Sequence, residues 1–187
     1  MKWRELREHS GPGVYLYLGT KRGMSLYSEH RFVNLIWGIE AFHRKRNSSE
    51  PPTSFTDKVA RIISQIGNKK DAKWLTGKLK RAHEPSLADR IAAVLKGLPI
   101  GFKSKAINKF AKKCADLRND ISHFGGNKEG GSYIDFVGNL EQYSRSLATL
   151  YQYLLLYEIG VDPKILNWWI NEGFRSYVIK KASSTLA

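Results

Sequence analysis

The 187-residue chain has a single cysteine, and only 17 acidic residues stand against 31 lysines and arginines. The lone Cys114 excludes a disulfide within the chain, and its place among apolar residues reads as a small buried hydrophobe. Such cysteine usage suits a reducing compartment, so a cytoplasmic location is expected. No apolar run approaches the ~18 residues of a membrane-spanning helix. The N-terminal MKWRELREHS carries charges where a signal peptide has its apolar segment. The five histidines, His9, His30, His43, His83 and His123, are scattered, without an HExxH pair, so no metal and no cofactor are expected. A serine nucleophile elbow and a Rossmann glycine fingerprint are missing too.

What is abundant is positive charge. The net charge of +14 and the pI near 9.9 favour a polyanionic partner. Acidic membrane surfaces compete for that role, but the basic residues are spread along the chain and form no polybasic block beside an anchor. Nucleic acid is the better fit, its phosphates supplying an affinity that falls with salt.

Apolar content of 42% with 26% charged residues is ordinary for a globular chain, of a length to bury a real core in one domain with or without an attached arm. Residues 1–27 are the least legible. Trp3 to His9 suits a helical turn, Gly11-Pro12-Gly13 breaks it, and Val14 to Leu18 is either a short strand or a buried helical turn. Tyr27 to Arg46 is an amphipathic helix with Phe32, Leu35, Ile36, Ile39 and Phe42 on its apolar stripe. Phe55 to Ile66 follows, with Thr56 as expected N-cap and Val59, Ile62, Ile63 and Ile66 inside. Asp71 to Ala82 is a basic helix whose Lys73 and Lys78 either face solvent or line a phosphate track, and Ser86 to Leu98 forms the next helix. Tyr133 to Ile159 reads as a long helix with Tyr143, Tyr151, Tyr153 and Tyr157, more tyrosines than one core needs, which makes it a candidate dimerising face. Asp162-Pro163 opens a last short helix, where Trp168 and Trp169 read as core or interface anchors. The architecture expected is all-α, an up-and-down helical bundle.

One stretch has more polar chemistry than helix capping requires. In Phe110 to Phe124, FAKKCADLRNDISHF, the residues Phe110, Cys114, Leu117 and Ile121 form an apolar stripe. Arg118 and Ser122 share one face of that helix, and Asn119 and His123 another, because residues four apart are neighbours. Gly125 and Gly126 place His123 in the last turn or just past it. A guanidinium, an amide, a carboxylate, a hydroxyl and an imidazole thus crowd into RNDISH. The following GGNKEGGS, with four glycines in eight residues, lacks the Gly-Lys-Ser/Thr ending of a phosphate-binding loop and reads as a mobile connection beside the site.

The hexapeptide resembles the signature of HEPN domains, an Arg followed by a polar residue and then, four to six residues after the Arg, a His. Here Arg118, Asn119 and His123 fit, with four residues between Arg and His. With RFVNLIWGIEAFHRKR upstream, and the Gly-rich loop and long apolar helix downstream, residues 28 to 175 resemble the ApeA-like branch of that superfamily. The resemblance implies a HEPN-like helical domain over 28–180 and a frayed tail over 181–187. It makes 1–27 an N-terminal arm or linker from a preceding, larger sensor domain, although Met1 leaves a native start open. It further implies a homodimer in which two motif helices meet in one composite cleft, with Arg118, Asn119 and His123 catalytic. Asp120, Ser122 and Glu40 are then supporting, Glu40 turned inward to hold Arg118. The plainer reading of Glu40 is an ion pair with Arg44.

Such a site suits RNA cleavage without a metal. The ribose 2′-hydroxyl is a built-in nucleophile, so the protein must move a proton and stabilise charge on phosphorus. Histidine titrates near neutrality, and a guanidinium matches phosphate oxygens in pairs. Lys112, Lys113, Lys73 and Lys78 are the candidate RNA-binding cations. The expected function is a metal-independent endoribonuclease, which the resemblance implies to be a domain of a bacterial antiviral protein acting by abortive infection. The competing readings are a non-catalytic HEPN-type dimerisation and RNA-binding module, and a DNA-binding helical domain.

Overall fold

The computed structural model describes residues 3–22, 26–47, 50–126, 128, 130–173 and 176–177, and for Trp3 and His9 the backbone alone. The expected tail at 181–187 lies outside them. The regular structure among the described residues is helical throughout, in nine helices. They are α1 (Trp3–His9), α2 (Gly13–Gly19), α3 (Ser28–Arg46), α4 (Thr53–Ser64), α5 (Lys69–Leu79), α6 (Leu87–Lys96), α7 (Ser104–Phe124), α8 (Tyr133–Glu158) and α9 (Pro163–Asn171). The all-helical expectation holds, and Val14 to Leu18 resolves as helix.

Local chemistry sets several of the boundaries. The Asn68 side chain accepts a hydrogen bond from the Lys70 amide at 2.8 Å, and that of Asp162 from the Lys164 amide at 2.7 Å, with Pro163 in the first turn. Ser132 caps α8 in the same way. Thr56, expected as an N-cap, is inside α4 instead; its hydroxyl donates back to the Thr53 carbonyl, and the helix starts after Pro52 without a side-chain cap.

The chain divides into two compact units, residues 1–46 with 87–187, and residues 47–86. In the larger unit α3 is the shared wall: α2, α6, α7 and α8 all pack against it. Its Phe32, Leu35, Ile36, Ile39 and Phe42 are buried, as are Ile91 and Leu95 from α6, Phe110, Cys114 and Leu117 from α7, and Leu140, Leu147, Leu150 and Leu154 from α8. Residues 1–27 join this core through Leu6, Val14 and Tyr17.

Two contacts orient α3 and α8. The Tyr133 hydroxyl donates to Glu29 at the start of both helices, and the Arg46 guanidinium grips Glu158 at the end of both, with one bond of 2.8 Å. The two helices therefore run parallel. α7 leads into α8 through residues 125–132 and lies antiparallel to it, Phe110 stacking on Tyr143 with ring centroids 5.3 Å apart. The first turn of α3, the last turn of α7 and the first turn of α8 are thus gathered at one end of the bundle.

The tyrosines of α8 are core, not the dimerising face that their number suggested. Tyr143 stacks on Phe110, Tyr151 meets Tyr17 edge-on at 4.9 Å, and Tyr153 donates to Asn167 at 3.0 Å. All three are buried, and Tyr157 is half-buried. Tyr151 also presses on the crossing of α2 and α3, where glycines are required. A Cβ at Gly13 would stand 2.6 Å from the Gly38 carbonyl oxygen, and one at Gly38 would stand 2.9 Å from Tyr151 Cε1.

The smaller unit is a pair of helices, α4 and α5, packed on one another. Phe55 meets the His83 ring at 5.4 Å. Val59, Ile62, Ile63 and Ile66, expected inside, are only half-buried, and Trp74 is exposed. A forty-residue hairpin has too few layers to enclose both apolar faces.

Gly13→Ala and Gly38→Ala are expected to destabilise the protein by about 1–3 kcal/mol, with Gly13→Ala the worse because a backbone oxygen cannot step aside. Thermal melts should show a fall of roughly 2–4 °C per kcal/mol for a chain of this size. Tyr151→Phe removes a hydroxyl that is buried without a hydrogen-bond partner, so it should be neutral, or stabilising by up to ~1 kcal/mol.

Candidate nucleic-acid site at the end of the motif helix

The apolar stripe of α7 is buried at Phe110, Cys114 and Leu117 and half-buried at Ile121. Burial pushes the Cys114 thiol well above its usual range, which suits an inert core residue. With that stripe turned inward, RNDISH is left on the remaining surface of the last two turns. α7 runs through Phe124, so His123 is in the last turn, and Gly125 ends the helix at a φ of 67°, its amide donating to the Ile121 carbonyl at 3.1 Å. A left-handed residue there ends the helix, and His123 and Phe124 are both exposed.

Arg118 is half-buried. Its Nη1 donates to Asn119 Oδ1 at 3.2 Å, while its Nε is buried with no acceptor. A guanidinium N–H without a partner is costly unless something else supplies an oxygen. Asn119 is exposed one turn before His123, and the His123 ring meets Phe124 edge-on with centroids 6.4 Å apart. Asp120 is half-buried and Ser122 exposed.

Glu40 sits with Arg44, not with Arg118. Its carboxylate accepts from Arg44 at 3.0 Å, a partner four residues along its own helix that is reached at little conformational cost. Lys112 pairs with Asp116 at 3.0 Å across an exposed turn, and Lys113 is exposed. Lys73 and Lys78 are exposed on α5 in the smaller unit, with the Lys78 ammonium 6.0 Å from the Trp74 ring centroid. The structure therefore joins Arg118 to Asn119 directly and places His123 one turn further on the same helix.

Some features of this end of the bundle escaped the sequence reading. Phe124 is 58% exposed, with the Lys128 ammonium 5.7 Å from its ring centroid. Tyr133 and Ile134, at the start of α8, are exposed as well, and so are Tyr27, His30 and Arg31 around the first turn of α3. Among the described residues no helix is long and apolar enough to cross a membrane, and no group of three or more His, Cys, Asp or Glu could hold a metal ion.

An all-helical bundle that presents Arg118, Asn119 and His123 at the end of one helix has the makings of a HEPN domain. The family model for the Apea-like HEPN domain matches residues 33–165, most of the chain, and the protein belongs to that family. Comparison with curated proteins and with solved structures gave no match.

The histidines of the chain differ in environment. His43, buried near the end of α3, has its pKa lowered by burial first, then by Arg90 and Arg44, with Glu40 opposing. Its folded pKa thus lies below the unfolded value of ~6.5, and the unfolded chain binds the extra proton. Stability tied to neutral His43 is fully present above that unfolded value and is lost as the pH falls from there toward the folded pKa. Urea midpoints of the wild type are expected to drop between about pH 7 and pH 5 more steeply than those of His43→Gln.

Proposed function

We propose that the protein is a metal-independent endoribonuclease of the HEPN type, its site completed by two copies of α7 meeting in a homodimer. The observation that carries this reading is the Arg118 guanidinium, with one edge held by Asn119 and a buried Nε–H lacking an acceptor, one turn from an exposed imidazole. A phosphate is attracted by the guanidinium charge and can accept from the donors of its outer edge.

The chemistry runs by transesterification. One His123 takes the proton of the ribose 2′-hydroxyl as its oxygen bonds to phosphorus. The His123 of the second copy gives a proton to the 5′-oxygen as the phosphorus–oxygen bond breaks, leaving a cyclic phosphate and a free 5′-hydroxyl. Arg118 stabilises the charge on the non-bridging oxygens, and Asn119 positions that guanidinium. One histidine per chain is too few for an acid and a base; two copies supply both. Lys112, Lys113, Lys73 and Lys78 each offer a charge to RNA phosphates. Membership of the Apea-like family supports a role in antiviral defence by abortive infection, in the cytoplasm, with a preceding sensor domain in a longer chain and the boundaries expected above.

A second reading, a non-catalytic dimerisation and RNA-binding module, draws on the absence of any hydrogen bond between His123 and Arg118 within one chain.

Labelled single-stranded RNA incubated in EDTA is expected to be cut by the wild type. An RNA with deoxyribose at the cut site should survive. His123→Ala should lose at least about 100-fold in rate, and Arg118→Lys should lower kcat more than it raises KM, since a lysine keeps the charge but not the fork. Cleavage by His123→Ala at the wild-type rate would rule out the assignment.

A further inference from the structure

Phe124 is one of several large apolar side chains exposed at this end of the bundle, and it is the one next to His123. Large aromatic rings are usually withdrawn into the core, and this one is 58% exposed in the last turn of α7, immediately after His123. It is not stranded in a wholly apolar patch. The His123 ring meets it edge-on at 6.4 Å, and the Lys128 ammonium approaches its ring at 5.7 Å from the centroid. Gly125, in the left-handed conformation, ends α7 directly after the ring. An exposed ring beside a proton-transfer group and under a flexible cation matches what an unpaired nucleotide offers: a π-face next to a negatively charged phosphate.

The geometry points to a nucleobase subsite, in which a base adjoining the cleaved phosphate stacks on Phe124 while Lys128 holds a neighbouring phosphate. This rests on the ribonuclease reading above and narrows its substrate to RNA that is single-stranded at the cut. In a duplex the faces of the bases are already stacked on one another, so Phe124 has no face to receive. Because any base has a π-face, the subsite tolerates sequence and selects unpaired structure.

The test uses an oligonucleotide with a fluorescent purine analogue beside the cut site and deoxyribose at the cut, so that binding is read without cleavage. The wild type is expected to quench the analogue in the single strand and not in the matched duplex. Phe124→Ala should abolish the quenching and weaken binding about ten-fold or more, and Phe124→Trp should restore both. Three results would each overturn the subsite: unchanged quenching in Phe124→Ala, a duplex bound as tightly as the single strand, or conversion of a wild-type dimer to a monomer by Phe124→Ala, which would make the ring a protein contact. The underlying reading fails separately. Quenching by a wild type that cuts no ribose substrate would leave the subsite and remove the nuclease, whereas His123→Ala should quench like the wild type and not cut.

Discussion

The larger unit depends on the burial of α3 over a broad face. Phe32 and Val33, Leu35 and Ile36, Gly38 and Ile39, and Phe42 and His43 are all buried, more of the circumference than one amphipathic stripe supplies. A helix buried over so wide a face needs several neighbours, and α2, α6, α7 and α8 are those neighbours. Gly38 sets how closely α2 can cross, with Tyr151 closing the remaining space. Ion pairing plays a smaller part. The link between Arg46 and Glu158 orients α3 and α8 at one end, but the apolar area around α3 is what makes the arrangement favourable.

That arrangement decides where the polar chemistry of α7 is placed. Its apolar stripe is buried in the core as far as Leu117 and still packs on it, half-buried, at Ile121. The last turns project their polar residues where the starts of α3 and α8 also lie. Helix C-termini are where cations and imidazoles are favoured by the helix dipole, and a glycine in the left-handed conformation ends α7 directly after them. The result is an exposed imidazole and a half-buried guanidinium with unused donor capacity. A phosphodiester fits that combination because it brings oxygens to the guanidinium and, in RNA, its own nucleophile to the histidine.

The incompleteness of the site within one chain is itself informative. Asn119 occupies one edge of Arg118, and Glu40 is engaged by Arg44, so among the described residues no carboxylate is paired with the guanidinium. Charge left uncompensated beside an exposed histidine favours an anionic ligand over a purely structural role for the motif. In the proposed dimer the second copy contributes a second imidazole, not a counter-charge, which keeps the site selective for phosphate.

The sequence by itself determined the helical class, most helix spans to within a few residues, and the motif with its place at the end of α7. Those features follow from periodicity, caps and glycines, which act over a few residues. Tertiary structure alone decided the rest. The tyrosines of α8 read as surplus because periodicity cannot say how many helices surround a stripe; α2, α7 and α9 bring Tyr17, Phe110 and Asn167 to meet them. Phe124 lies beyond the stripe of Phe110, Cys114, Leu117 and Ile121, and its exposure is visible only in the tertiary structure. Whether an apolar residue is buried depends on what lies opposite, and that is a property of distant parts of the chain.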